Sequence, residues 1–317
     1  MMDRRKIQLI AGTTYSVSLP KSWVLKNNLK ERSEVLFYEK DDRKLILTPG
    51  SFADKKTNTI DLNIDEYQSN IDQILFAVYY LGIETINLFS KKGITKEVES
   101  KIRRSLTYMS GTEISYEDKN KIAIKVLLDK SKVDMIQVIY RIGLIIESSI
   151  STLVEKMNIN EIRINENEVD RLYHLISKII SISLTDSSIL HSSGIKNVSL
   201  APSYFLIGKK LENIADNVHY ISEYLNKKNV DIEYKKEIFD FVGNEIGRCI
   251  NAIKSKQNKI FEKVDAKKIK QIDSLILKIK DDIVQNYIED VVRYVLDIEE
   301  EIVNISFYNQ LINQNIM

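Results

Sequence analysis

Two stretches of this sequence carry side chains at spacings that could do chemistry. In INENEVDRLYHLISKII, Glu166, Asp170 and His174 stand four residues apart, and in KKLENIADNVHYISEYL, Glu212, Asp216, His219 and Glu223 recur at helical intervals. Helical residues three or four apart share a face, so each stretch offers a ladder of oxygen and imidazole donors. Carboxylates crowded together need a proton or a cation to coexist. This donor set suits a hard or borderline divalent ion, or a ferric ion. Acidic residues on amphipathic helices are ordinarily just solvated. Two of the chain's three histidines on these same faces favour a ligand site. The paired Glu-x-x-His motifs of di-iron proteins are missing from the sequence, so redox catalysis is not expected.

The elements that must position the ladders follow from periodicity. Beyond about residue 130 the apolar repeat is 3.6, predicting helices near 131–157, 161–190, 202–228, 231–260, 264–285 and 287–315. HSSGIKNVSLAPS, His191 to Ser203, reads as the one long break, with His191 a loop residue, and the short connections elsewhere favour two three-helix bundles. In the ladder helices, Val169, Leu172, Ile176 and Ile179, then Leu211, Ile214, Val218 and Ile221, form the apolar stripes. Upstream, TIDLNI, ETINLFS, TEISYED and KIAIKVLL alternate as strands, and DEYQSNIDQILFAVYYLG and TKEVESKIRRSLTYMSG read as helices closed by Gly82 and Gly111. Tyr79, Tyr80 and Tyr108 read as core of this small α/β unit. TPGSFADKKTN, Thr48 to Asn58, marks a boundary. Residues 4 to 50 read as strands, a short turn of helix at PKSWVLKNN and a hairpin around DDR. The expected chain is α+β and multidomain: a small β domain at 1–50, a small α/β domain at 57–130 and all-α bundles at 131–317.

Composition narrows the function classes. Of 317 residues, 44% are apolar and 29% charged, with only 10 Gly and 3 Pro, which excludes a disordered chain and favours long helices. The single cysteine, Cys249, excludes internal disulfides and reads as a buried hydrophobe. The apolar run ILFAVYYLGI is about half the ~20 residues of a bilayer span, and MMDRRKIQL has no apolar signal core. A cytoplasmic protein without membrane insertion is expected. No Gly-rich phosphate loop, G-x-S-x-G or H-E-x-x-H occurs, so no enzyme is expected. Net charge is +1, yet Met1 to Arg32 holds seven Lys or Arg against Asp3 and Glu31, which points to an anionic partner there.

Within that basic end, Tyr15, Val17 and Leu19 fall on one strand face, Pro20 ends the strand, and Trp23 and Val24 turn toward a core. A piece of this size buries too little apolar surface alone, so a homodimer is expected. It would gather two sets of Arg4, Arg5, Lys6, Lys21 and Lys26, a charge pattern suited to the phosphates of DNA. RKIQLIAGTTYSVSLPKSWVLKNNLKERSEVLFYEKDDRKLILTP resembles the AbrB/SpoVT family of swapped-hairpin DNA-binding domains, most specifically at Leu19, Pro20, Lys21 and Trp23. Arg32-Ser33 replaces the family's usual Gly-Asp pair. The resemblance implies DNA contacts from Arg4, Arg5, Lys6 and Lys21, with Thr13 and Thr14 on phosphates.

ENEVDRLYHLI and LENIADNVHYISEYL resemble the repeated signature of PhoU, the phosphate uptake regulator, over a region from about residue 131 to the C-terminus. Its E/DxxxD motifs imply metal ligands at Glu166, Asp170, Glu212 and Asp216, with His174, His219 and Glu223 as flanking donors. In the later half, Glu289 is followed by Arg293, and Ile269 precedes Asp273, so the metal is expected only in the first bundle. The order of parts resembles archaeal PhoU-related regulators. It implies a dimeric DNA-binding transcriptional regulator of phosphate homeostasis, whose helices sense metal or phosphate status or dock on a phosphate transporter or sensor kinase. A PhoU-like adaptor acting by protein contact, with the β module only dimerising, is the alternative.

Overall fold

The computed structural model describes residues 4–41, 44–49, 58–229, 231–255 and 259–313. Its contacts divide it into two units, Met1–Thr57 and Asn58–Met317. Positions 42–43 of the DDR hairpin and 50–57 of the expected linker lie outside the described residues, as do 256–258 and 314–317 near expected helix ends.

In the first unit, β1 (Gln8–Ile10) pairs antiparallel with β2 (Thr14–Ser16). Ala11 and Gly12 both have positive φ, 50° and 73°, the pattern of the primed turns whose twist suits a hairpin. Pro20 precedes α1 (Lys21–Lys26), and β3 (Val35–Asp41) pairs antiparallel with β4 (Lys44–Pro49). Trp23 and Val24 reach only half-burial, and no described residue of this unit is buried.

The second unit begins with a four-stranded mixed sheet. β5 (Thr59–Asn63), α2 (Ile71–Tyr80) and β6 (Thr85–Phe89) form a parallel crossover, then α3 (Lys96–Thr107) leads to β7 (Thr112–Glu117) and β8 (Lys121–Val126), in the order β5-β6-β8-β7. Helix α2 starts later than its apolar pattern predicts. Asn63 Oδ1 accepts the Asp65 N–H, and Asp65 bonds to Ser90 Oγ and the Lys91 N–H at the end of β6, so residues 64–70 form short 3-10 turns instead. Gly111, at φ +73°, closes α3 where a Cβ would stand 2.8 Å from Leu128 Cβ.

The helices are α4 (Met135–Glu155), α5 (Ile159–Ser183), α6 (Ser187–Ser192), α7 (Ala201–Lys228), α8 (Lys235–Ser255), α9 (Ala266–Ile276) and α10 (Asp282–Asn313). His191 lies in α6 rather than a loop: Asp186 caps this short helix through the Ser188 and Ile189 N–H groups, and Ile189 and Leu190 are buried. Asp281 caps α10 in the same way through Ile283 and Val284, which ends α9 earlier than periodicity suggests. The apolar stripes of α4, α5, α7, α8, α9 and α10 share one continuous core, which includes Cys249. Helix α4 is long and apolar enough to span a membrane, and half of its apolar stretch is buried within this core.

Helices α4 and α8 approach closely at Gly143, where a Cβ would fall 2.5 Å from Ile250 Cγ2 and 2.7 Å from Cδ1. Alanine gains about 1 kcal/mol of helix propensity over glycine, but overpacking a rigid β-branched neighbour costs about 1–3 kcal/mol. Gly143→Ala is therefore expected to lower the urea midpoint despite the better helix former.

Candidate metal centre

Each ladder helix starts at a defined cap. Asn158 Oδ1 accepts the Glu161 N–H to open α5, and Pro202 in the first turn of α7 uses a position where no N–H is needed. Their stripes, Val169, Leu172, Ile176 and Ile179 against Leu211, Ile214, Val218 and Ile221, are buried in the shared core, so α5 and α7 lie side by side. That contact brings Glu166 and Asp170 to Asp216, with one carboxylate oxygen from each within 4.8 Å of the others.

This triad is electrostatically strained. Burial, with the nearby Glu166, Asp216 and Glu212 adding to it, pushes the Asp170 carboxyl up to about 8. Burial and the charges of Glu212 and Glu166 push Asp216 up to about 7. Glu166 is also raised by burial, with His219 opposing. Half-exposed Tyr220 is raised first by Asp216, which places it at the edge of the cluster. A cation is the natural counter-charge for such a group, and three convergent oxygens are a hard-cation donor set. The triad could hold a metal ion.

The other predicted ligands are placed differently. Glu212 is nearly buried, but both of its oxygens accept from Lys209 Nζ, at 2.7 and 2.5 Å, so an ammonium already satisfies it. The buried His219 Nε2 makes no hydrogen bond and stands 3.4 Å from Glu223 Oε1, a nitrogen able to accept a metal beside the triad. His174 leaves the acidic face altogether. Eight residues at about 100° each rotate it roughly 80° from Glu166. It stacks on Phe76 at 4.0 Å and shares a 2.5 Å hydrogen bond between Nδ1 and the Tyr80 hydroxyl. Burial, reinforced by Lys209, drops it to about 4, so it is neutral at pH 7.

His174 belongs to a second stripe that the sequence did not reveal. Asn167 accepts from the Tyr108 hydroxyl at 2.7 Å, Arg171 donates to Ser110 Oγ at 3.1 Å, and Lys178 donates to the Tyr79 carbonyl at 3.0 Å. Together with His174 these residues recur at helical spacing along α5 and join it to the sheet-bearing part of the unit. The tyrosines expected as core thus also make polar contacts across this junction.

The expected DNA-contacting residues Arg4, Arg5, Lys6, Thr13, Thr14, Lys21 and Lys26 are all exposed on the first unit. Arg32 holds φ +68°, a left-handed conformation that glycine adopts at less cost.

Two family models match the chain. Residues 8–54 match MazE, a bacterial antitoxin described as antidote-toxin recognition, and residues 135–225 match the PhoU domain. The chain thus joins a MazE/AbrB-like domain to a PhoU domain, both from regulatory families. The PhoU match ends within α7, leaving α8–α10 outside it. No curated protein and no solved structure matches the chain.

Proposed function

We propose that the protein is a cytoplasmic, homodimeric, DNA-binding transcriptional regulator of phosphate homeostasis, with a metal centre in the first half of its helical region. The observation that carries the reading is the first unit: it exposes several cations and an apolar face on one small β module. Two copies would cover the apolar face and concentrate the cations against a phosphate backbone. The metal reading rests on the Glu166, Asp170 and Asp216 triad, with His219 Nε2 an unsatisfied buried nitrogen on the helix that carries Asp216. An ion there would offset the charge of the three carboxylates and tie α5 to α7. This chain's own residues would supply the ligands and exclude water from one side.

A salt series tests the DNA reading. Affinity for a promoter fragment should fall steeply with salt, with a log–log slope of about −0.9 per phosphate contacted. An Arg4→Ala, Arg5→Ala, Lys21→Ala variant should show a shallower slope by roughly one unit per lost contact. No binding at low salt would instead favour an adaptor that works by protein contact at a phosphate transporter or sensor kinase.

A further inference from the structure

A groove of about 570 Å³ opens where the end of α3 meets α4 and α5. Its polar lining is organised by two arginines that share one carboxylate. Arg141 Nη2 stands 2.7 Å from Glu168 Oε1, while Arg171 places Nη2 2.6 Å from that same oxygen and Nε 2.8 Å from Oε2. Two guanidiniums face one carboxylate, so the groove keeps an uncompensated positive charge. Arg141, more than half exposed, has no other partner for its remaining N–H groups among the described residues.

The choice of arginine is informative in a chain that uses lysine for most of its 46 cationic side chains. Two of the seven arginines beyond residue 57, Arg141 and Arg171, line this one groove. A guanidinium offers a planar fork of five donors that matches two oxygens of one anion, which an ammonium cannot do. Glu168 Oε1, held by the Arg171 fork and by one N–H of Arg141, shows where an oxygen of an external anion is accommodated.

We propose that this groove is a binding site for a phosphate-class oxyanion. Arg141 and Arg171 are its ligands, and Glu168 is a resident carboxylate that holds the forks in register until the anion takes over one of them. The source is free inorganic phosphate or the phosphomonoester of a nucleotide. The site uses none of the metal-centre carboxylates, so it stands or falls apart from that reading.

The full-length protein, stripped of metal by chelator, would be titrated calorimetrically at constant ionic strength with inorganic phosphate and, separately, with AMP. Saturable binding with a Kd of about 1 mM or tighter is expected for at least one. Phosphate alone identifies the free ion, and AMP alone the nucleotide. Arg141→Ala should weaken binding about tenfold or more, and Arg171→Lys, which keeps the charge and loses the fork, should weaken it comparably. Glu168→Gln should tighten binding, because it removes the competing carboxylate, whereas a merely structural ion pair would leave no such gain. No saturable heat up to about 10 mM of either anion, unchanged binding in Arg141→Ala, or weaker binding in Glu168→Gln would overturn the proposal.

Discussion

Replacing Tyr15 with aspartate is expected to turn the protein from dimer to monomer and to abolish DNA binding, while the helical region keeps its circular dichroism. Leu9 faces Tyr15 across the β1–β2 pair, and continuing that register outward sets Ile7 against Val17. These four side chains form one apolar face, and they are 55%, 73%, 72% and 49% exposed respectively. A hairpin of so few pairs does not hold itself together in water, and a unit of fewer than sixty residues buries too little surface to stand alone. Covering the face with a second copy removes several large apolar side chains from water at about 25 cal/mol per Å². An aspartate at its centre would have to be buried without a partner, at a cost of several kcal/mol, enough to weaken association by about a thousandfold or more. Light scattering after gel filtration reads the first effect and filter binding the second. Lys21→Ala supplies the contrast, since it should weaken DNA binding and leave the dimer intact. A Tyr15→Asp protein that remains dimeric would remove the apolar face from the interface.

What the sequence makes legible is what is local. The stripes of α5 and α7 are readable because core residues recur at 3.6, and they are the residues found buried. Glu166, Asp170 and Asp216 are readable because one helical turn keeps Glu166 and Asp170 together, and the stripes turn both helices the right way round. His174 is not, because two turns accumulate enough rotation to carry it to another face, and its partners Phe76 and Tyr80 lie some hundred residues upstream. The pairing of Lys209 with Glu212 was available in the sequence as a local i, i+3 pair, and it separates a satisfied carboxylate from the unsatisfied triad. The same limit applies to Glu168, whose second arginine comes from α4, a helix away. In the first unit the alternation of strands could be read, but no single copy closes a core, so the inward face of Trp23 is only half-buried in one chain. Side chains whose partners are distant in the chain, or on another chain, leave no periodic trace.

Ionising the metal-free triad should cost stability as pH rises from about 4 to about 8, and removing the triad's charge should abolish that contribution. Asp170 and Asp216 titrate at about 8 and about 7 in the folded chain, against about 3.9 when unfolded. Across that window the folded state holds protons that the unfolded state has released, so ionising the triad disfavours folding. Asp170→Asn with Asp216→Asn cannot ionise there, and it is expected to melt higher than wild type at pH 8 and no higher at pH 4. Glu147 and Glu299, raised by burial too, act in the same direction in both proteins, so the difference between them isolates the triad. Metal changes the sign for wild type only. A cation must displace the protons, so its affinity increases with pH, and manganese(II) at a hundred times its Kd should stabilise by about 2.7 kcal/mol. Melting curves at pH 4, 6 and 8, with chelator and with manganese(II), give all of these quantities, and elemental analysis should find metal in the wild type and none in the variant. A chelated wild type that melts at least as high as the variant at pH 8, with no response to manganese(II), would mean that the three carboxylates are an ordinary solvated cluster.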